Sequence, residues 1–574
     1  MKAIICALFC FCIMLRGGES KERWPTPAEA KKFAAYTTYA EALSFIDRLK
    51  AVDRRLRVFV AGKTREGSLQ ALTDRDIICF RLNAGKAPSR NPARFPIRVL
   101  ISAGQHGNEQ SGVEACLRLL RDVVSGRCDD LLRELDIIVF PAINPYGNDH
   151  NCRENEQGLD LNRDHSKLES PETEALHRVF AAFMPEVTYD LHEKGYDYYQ
   201  VNVGTVTNLN IAPEIPRFSH QVILPSIEKE LKAKGIACHE YMVKSFMGDI
   251  SASGAVMEEP ENAEVLYRLS TTDINDGRTS CGIFNTFSFI QEIAARDDLR
   301  YYPEHIRHQH EGLIAFLQAV CANTDTIRTI VSGSRAKLEK GADEVILRME
   351  HSRDPQQGSI FIQRFSDRPA NPDAPLGVAN RDIARGEPVS PGDILPPPGN
   401  GIPAAPAVTV EEIKNWFPAV LPRLTRPRAE GYVIPGQLSE IANLLVKLGA
   451  RVFAVERDTL GEIQYTRIVS ITPSPADYTA PPAITVETMS LKAIIQKGDF
   501  YVPGRGHAAN LVALLLEPES EFGLLRYAKF KLPTQVGDVY PFGRIVAWKG
   551  EDGLTLTPYR NFSYLALDVC ALQP

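Results

Sequence analysis

The sequence is poor in the signals that would place it in several large functional classes. It has eleven cysteines in 574 residues; Cys6, Cys10 and Cys12 stand near the start and the others are widely spaced. That usage excludes a disulfide-built scaffold, and no C-x-x-C pair is present to hold a structural zinc. Long basic runs are missing and the net charge is −7, which argues against a nucleic-acid partner. No G-x-S-x-G element supports a serine hydrolase. Gly62-Lys63-Thr64 looks like the end of a phosphate loop, but Arg57 stands where the first glycine is required, and the motif is discarded.

What remains is a soluble globular composition, 44% apolar and 24% charged, in a chain too long for one ordinary core. Residues 1–20 differ from the rest. Lys2 precedes an apolar run from Ala3 to Leu15, followed by polar Arg16-Gly17-Gly18-Glu19-Ser20. The run is too short to span a bilayer and suits a secretory signal, so a secreted or periplasmic protein with no integral span after cleavage is expected. A membrane anchor or a misplaced start codon are the rival explanations.

Strand and helix patterns then alternate. Strands are expected over 76–82, 96–102, 136–142, 187–191 and 283–291, and helices over 110–124, 171–183, 220–234 and 303–321. Alternation on this scale implies an α/β fold: a mixed central sheet with helices on both faces. Pro-rich pieces such as Leu395 to Gly401 mark residues 326–430 as linker and irregular surface. Structure resumes at Tyr432-Val433-Ile434, and two further strand–helix cycles suggest a smaller C-terminal α/β or α+β domain over 431–574. The expected organisation is therefore a signal over 1–20, a catalytic domain over 21–325, the linker, and that accessory domain.

Sites in such sheets form beyond the carboxyl ends of strands. His106, Asn144 and His192 each lie just past an expected strand end. The first belongs to Gln105-His106-Gly107-Asn108-Glu109, and an imidazole and a carboxylate so spaced can face one point. Both are ligands that catalytic zinc accepts. Next come Asn144-Pro145-Tyr146-Gly147 with Arg153 following, then Gly158-Leu159-Asp160-Leu161-Asn162-Arg163, then Asp190-Leu191-His192. Finally Glu292 ends an apolar strand, where an ionised carboxylate is costly without partners.

H-x-x-E, N-P-x-G with a later Arg, G-x-D-x-N-R, D-L-H and a strand-end Glu, in that order over residues 35–320, resemble the zinc metallocarboxypeptidases of the carboxypeptidase A superfamily. The C-terminal region resembles in outline the extra domain of large bacterial members. The resemblance implies one Zn²⁺ held by His106, Glu109 and His192, with Asp160 orienting the first histidine. It implies Glu292 as general base and Arg153 as the donor to the oxyanion. It assigns Asn162 and Arg163 to the terminal carboxylate of a peptide substrate, a task suited to the forked guanidinium. Arg278, fourteen residues before Glu292, stands near the position that sets side-chain preference. A cation there favours substrates ending in an acidic residue or in a γ-linked diamino acid of cell-wall peptides.

Each residue has a plainer alternative. Asp160 and Asp190 could cap turns. Arg153 could pair with Glu154 or Glu156, and Arg278 could be a surface or an ion-paired arginine. His305, His308 and His310 could suggest a second metal but read as a solvated helix face beside Glu304 and Arg307. The pattern departs from the digestive members at Asn108, where those carry Arg, and is closer to cytosolic carboxypeptidases and N-acyl amino acid deacylases. Where digestive members carry a mobile tyrosine, this chain has Ser270, with Tyr267 nearby. Two alternative functions therefore stand beside an exported carboxypeptidase: a zinc amidohydrolase acting on N-acyl amino acids, and an inactive peptide-binding homologue.

Overall fold

A computed structural model describes residues 24–559, apart from 69–70, 85–94, 196–198, 247–264, 297, 342–343, 355–357, 367–406, 473–482 and 548–552. The expected signal at 1–20 lies outside the described residues. None of the described helices is long and apolar enough to cross a membrane.

The part that carries the motifs is a mixed eight-stranded sheet. Its strands are β1 (Leu56–Lys63), β2 (Asp76–Leu82), β3 (Ile97–Ala103), β4 (Leu135–Phe140), β5 (Val187–Gly195), β6 (Val201–Gly204), β7 (Cys238–Glu240) and β8 (Phe287–Ala295), in the order β1-β2-β4-β3-β5-β8-β6-β7. The central four, β4-β3-β5-β8, run parallel, whereas β2 and β6 join them antiparallel. Strands β3 and β4 are largely apolar because both of their faces are covered, whereas β5 and β8 carry polar side chains into the buried sheet end.

The main helices are α1 (Tyr39–Lys50), α2 (Ser111–Val124), α3 (Pro171–Phe183), α4 (Leu224–Ala233), α5 (Gly277–Gly282), α6 (Tyr302–Cys321) and α7 (Thr324–Lys340). Strand alternation decides which face each helix meets. Gly112 of α2 packs on Ala103 and Leu191, whereas Gly277 of α5 packs on Asp190, one residue along the same strand and on the other face. Helix α1 begins with a capping box, Thr38 and Glu41 satisfying each other's backbone N–H, and buries Ala42, Phe45, Ile46 and Leu49.

Two expected boundaries need correction. The strand expected over 283–291 begins at Phe287, because Asn285 takes a left-handed conformation (φ 54°) that closes the turn after α5. The stretch expected as linker, 326–430, is largely regular among its described residues. It holds α7 and the strands Glu344–Ser352, Ile360–Ser366, Ala407–Ile413 and Ala419–Pro427. Ile327, Val331, Ser334 and Leu338 form the buried stripe of α7, and Val345, Leu347, Met349 and His351 alternate into the interior. The prolines at 395–401 that suggested a linker fall outside the described residues.

The C-terminal part builds an antiparallel seven-stranded sheet from Gly431–Ile434, Phe453–Val455, Thr459–Thr472, Ala483–Ile495, Phe500–Pro503, Gly543–Ile545 and Leu556–Pro558. Helices Ser439–Lys447 and Ala509–Leu516 accompany it. One apolar cluster runs from Phe45 and Ile101 in the first part through to Leu514 and Phe542 in the second. The two parts share a core.

Candidate active site

Beyond β3 the chain turns at Gly104 (φ 69°) and carries Gln105 to Glu109 across the sheet end. Gly107 can occupy this loop only because it has no side chain: a Cβ there would lie 1.9 Å from the backbone carbon of Gly147. Gly147 is the glycine of N-P-x-G, and its N–H donates to Asn144 Oδ1 at 2.9 Å, which caps the helix Pro145–His150. Asn144 therefore supports the loop and is not among the residues lining the cavity described below. N-P-x-G and H-x-x-E are two halves of one close contact.

That loop, the end of β5 and the end of β8 bring the sequence-derived residues together. His106 Nδ1 lies 2.6 Å from Glu109 Oε1, and His192 Nδ1 lies 2.8 Å from Glu109 Oε2. One donor atom from each of His106, Glu109 and His192 lies within 4.8 Å of the others. Each histidine offers its second nitrogen to a different carboxylate, Asp160 Oδ1 at 3.2 Å for His106 and Asp190 Oδ2 at 2.8 Å for His192. Such partners fix the ring orientation and tautomer of a metal-binding histidine. Burial alone would raise the Glu109 carboxyl, but the two imidazoles outweigh it and hold the group well below its usual range.

Asp190 lies within β5, so it does not cap a turn. It accepts hydrogen bonds from Ser102 Oγ at 2.7 Å and Gln105 Nε2 at 2.5 Å, besides facing His192. Gln105 Oε1 in turn accepts from His165 Nε2 at 2.8 Å, and His165 Nδ1 lies 3.0 Å from His177 Nε2. A Cβ on Gly277 would come within 2.8 Å of Asp190 and 2.5 Å of Gln105 Nε2. A buried polar chain thus runs from His192 into α3, with no room for a side chain at residue 277.

Glu292 faces His192 in the parallel register of β8 and β5, so both side chains leave the sheet on one side. It is buried, and burial raises its carboxyl above the usual value. Its Oε2 has no hydrogen-bond partner among the described residues. Arg153 pairs with Asp160 Oδ2 through Nε at 3.0 Å and Nη2 at 2.8 Å, not with Glu154 or Glu156. Asp160 is therefore shared between His106 and Arg153. Burial pulls its carboxyl up, but the contact with His106 and the guanidinium charges of Arg153 and Arg163 hold it well below its normal range.

A cavity of about 530 Å³ opens at this point. His106, Glu109, Arg153, Asn162, Arg163, Arg278 and Glu292 all line it; Asp160 and His192 support it from behind. Asn162 Oδ1 accepts from Gly277 N–H at 2.8 Å, which joins it to the start of α5. Arg278 is 3% exposed, so the surface reading fails for it. Its Nη2 forms an ion pair with Asp276 Oδ2 at 3.7 Å, and its Nε and Nη1 have no hydrogen-bond partner among the described residues. Its guanidinium carbon lies 5.7 Å from the Tyr241 ring centre.

Several lining residues carried no usable sequence signal: Glu193, Lys194, Tyr241, Asp273 and Asp276. Burial pushes Glu193 up to about 7, and its Oε1 accepts from Ser111 N–H at 2.6 Å. Tyr241 lines the cavity, whereas Tyr267, the tyrosine nearest Ser270 in sequence, does not; its hydroxyl accepts from Arg364 at 3.0 Å. The histidines of α6 need correction as well. They lie on the helix as expected, but His305 and His308 are buried, and the helix packs that face against the fold. His310 contacts Asp122 at 3.0 Å while His305 accepts the Arg296 N–H at 3.3 Å, so they do not converge.

The family model for the succinylglutamate desuccinylase/aspartoacylase catalytic domain matches residues 96–207, the stretch from β3 through β6. Carboxypeptidase 2 of Trichophyton tonsurans is 24% identical over 484 residues, 81% of this chain and 79% of that protein. Carboxypeptidase 2 of Trichophyton rubrum is 25% identical over the same length. Among solved structures, a metallo-carboxypeptidase from Pseudomonas aeruginosa aligns at 15% identity and a TM-score of 0.36, covering 51% of this chain and 70% of its own. Carboxypeptidase A from Helicoverpa armigera aligns at 15% identity and a TM-score of 0.38, covering 54% of this chain and 80% of its own. The chain is thus similar over four-fifths of its length to proteins named carboxypeptidase 2, and its ordered motifs gather at one sheet end.

Proposed function

We propose that the protein is an exported zinc-dependent carboxypeptidase that hydrolyses the C-terminal amide bond of peptides. The observation that carries this reading is the meeting of two imidazoles, one carboxylate and a separate buried glutamate at a cavity also lined by three arginines, Arg153, Arg163 and Arg278. The donor set fits one zinc ion: three protein ligands, each histidine backed by a carboxylate, and an open side toward the cavity. When bound there, zinc would polarise the scissile carbonyl and make water nucleophilic near neutral pH.

The chain's own groups would do the rest. Glu292, with a raised proton affinity and a free oxygen, takes the proton of the attacking water and returns it to the leaving amine. Arg153, steadied by Asp160, donates to the carbonyl oxygen as charge develops on it. Asn162 and Arg163 hold the terminal carboxylate, which makes the enzyme an exopeptidase. Arg278, with two donors unpartnered, takes the acidic side chain of a C-terminal Glu or of a cell-wall-derived residue. Export follows from the leader-like residues 1–20.

The test is Glu292→Gln. Zinc content by elemental analysis should match the wild type, while turnover on peptides with a free C-terminus falls by about 10²–10⁴-fold. A barely slowed variant would mean that the base lies elsewhere. A second reading, deacylation of N-acyl amino acids, is favoured by the family-model match over 96–207. Product analysis separates the two: release of a C-terminal amino acid from a peptide, or of a carboxylic acid from an N-acyl amino acid. Inactivity of the zinc-loaded protein on both substrate sets would leave the inactive binding homologue.

A further inference from the structure

The cavity has to admit an anion, yet besides Glu109, Glu193 and Glu292 two aspartates, Asp273 and Asp276, line it. Asp276 has Arg278 beside it. Asp273 is buried at 3% exposure, and its cationic partner among the described residues comes from the other end of the chain. Arg526 Nη1 donates to Asp273 Oδ2 at 3.1 Å, and both side chains are almost completely buried (1% and 4% exposed). The next residue, Tyr527, makes a second tie. Its hydroxyl lies 2.8 Å from Ser166 Oγ, which donates to Asn275 Oδ1 at 2.7 Å. Asn275 Nδ2 then donates to the Arg163 carbonyl at 2.6 Å. The Asn275 N–H, in turn, donates to Asp273 Oδ1 at 3.0 Å, so the two ties close on one loop.

We propose that the C-terminal domain completes the anion-binding wall of the active site from behind: Arg526 neutralises Asp273, and Tyr527 holds Ser166 and Asn275 against the backbone of Arg163. The inference rests on the carboxypeptidase reading, since it assigns the cavity a substrate with a free carboxylate. Arg526 and Tyr527 are positioning residues and touch no substrate. The physical reason is electrostatic. An uncompensated carboxylate facing a bound anion across a cavity of this size costs it about ten-fold in affinity at an effective dielectric of about 20. A cation that reached Asp273 from the cavity side would occupy the substrate's own space. One supplied from behind does not.

The experiment is steady-state kinetics of the full-length protein, metal-loaded, on an N-acylated dipeptide ending in Glu. Arg526→Gln is expected to raise KM about ten-fold with kcat within about two-fold. Arg526→Lys, which keeps the charge, should recover most of the loss. The double variant Arg526→Gln/Asp273→Asn removes both charges and should bring KM back toward the wild-type value, although it repairs no packing. Tyr527→Phe should raise KM by a smaller factor. Thermal melts of each variant identify any that do not fold, and the Lys and double variants keep the idea exposed if Arg526→Gln is one of them. Unchanged KM in a folded Arg526→Gln, or no recovery in the double variant, overturns the inference alone. A wild-type protein that cleaves no such substrate overturns the proposed function, and this inference with it.

Discussion

Removing the Asp190 carboxylate tests the supporting chain beneath the proposed metal ligands. Asp190 accepts from Ser102 Oγ, Gln105 Nε2 and His192 Nε2 at 2.7, 2.5 and 2.8 Å, all in the buried interior. Asp190→Ala strips three donors of their acceptor at once, and His192 loses the partner that keeps Nδ1 turned toward Glu109. Loss of a carboxylate behind a ligating histidine costs about 10- to 100-fold in metal affinity, which is about 1.4–2.8 kcal/mol. Each buried donor left unpaired adds a stability cost of about 1–3 kcal/mol, so the melting temperature should fall as well. Asp190→Asn separates the two effects. It keeps the volume and one acceptor oxygen, so it should lose less stability while still weakening zinc. Titrating zinc-loaded protein against a chelator of known affinity, beside a circular-dichroism melt, measures both quantities. Wild-type zinc affinity in both folded variants would refute the reasoning.

Three other predictions follow from geometry and charge. Gly107→Ala should disrupt the loop that carries His106 and Glu109, since the added carbon would sit 1.9 Å from the Gly147 backbone; the variant is expected to show reduced zinc binding and a lowered melting temperature, whereas an unaffected protein would mean the loop can move aside cheaply. Arg278→Ala should cut kcat/KM on substrates ending in Glu by at least about ten-fold more than on substrates ending in Leu, the worth of about one charge-assisted hydrogen bond; equal losses on both would remove Arg278 from substrate selection. Burial pushes the Glu521 carboxyl up to about 8, although its Oε1 accepts from Met349 N–H at 3.0 Å. Because the folded value lies above the ordinary one, its contribution to stability is complete below about pH 4.5 and is lost as pH rises through about 8. Glu521→Gln should therefore flatten the fall in melting temperature between those limits, and parallel curves for variant and wild type would refute the shift.

The sequence by itself determined what short-range chemistry can encode. Strand and helix periods are local, so the main elements of the sheet and the helices around it were legible in outline. Ligand types are local too: H-x-x-E at a strand end, D-x-H on one strand face and a glutamate closing an apolar strand each describe a residue and its immediate neighbours. What those pieces face depends on sheet order. Only the adjacency of β3, β5 and β8 sets Glu109 against His192, 83 residues away, and Glu292 beside it. Asp190 was ambiguous for the same reason, because a strand-end aspartate and a turn cap look alike until the neighbouring strand supplies Ser102 and the loop after it supplies Gln105. The linker expectation for 326–430 failed because proline counts report composition, whereas the buried stripes of α7 and of Glu344–Ser352 exist only against the rest of the fold. The tie between Arg526 and Asp273 spans 253 residues, and no pattern along a chain announces such a pair. A buried charge is stabilised by whatever the fold brings next to it, and that partner is decided by packing, not by spacing.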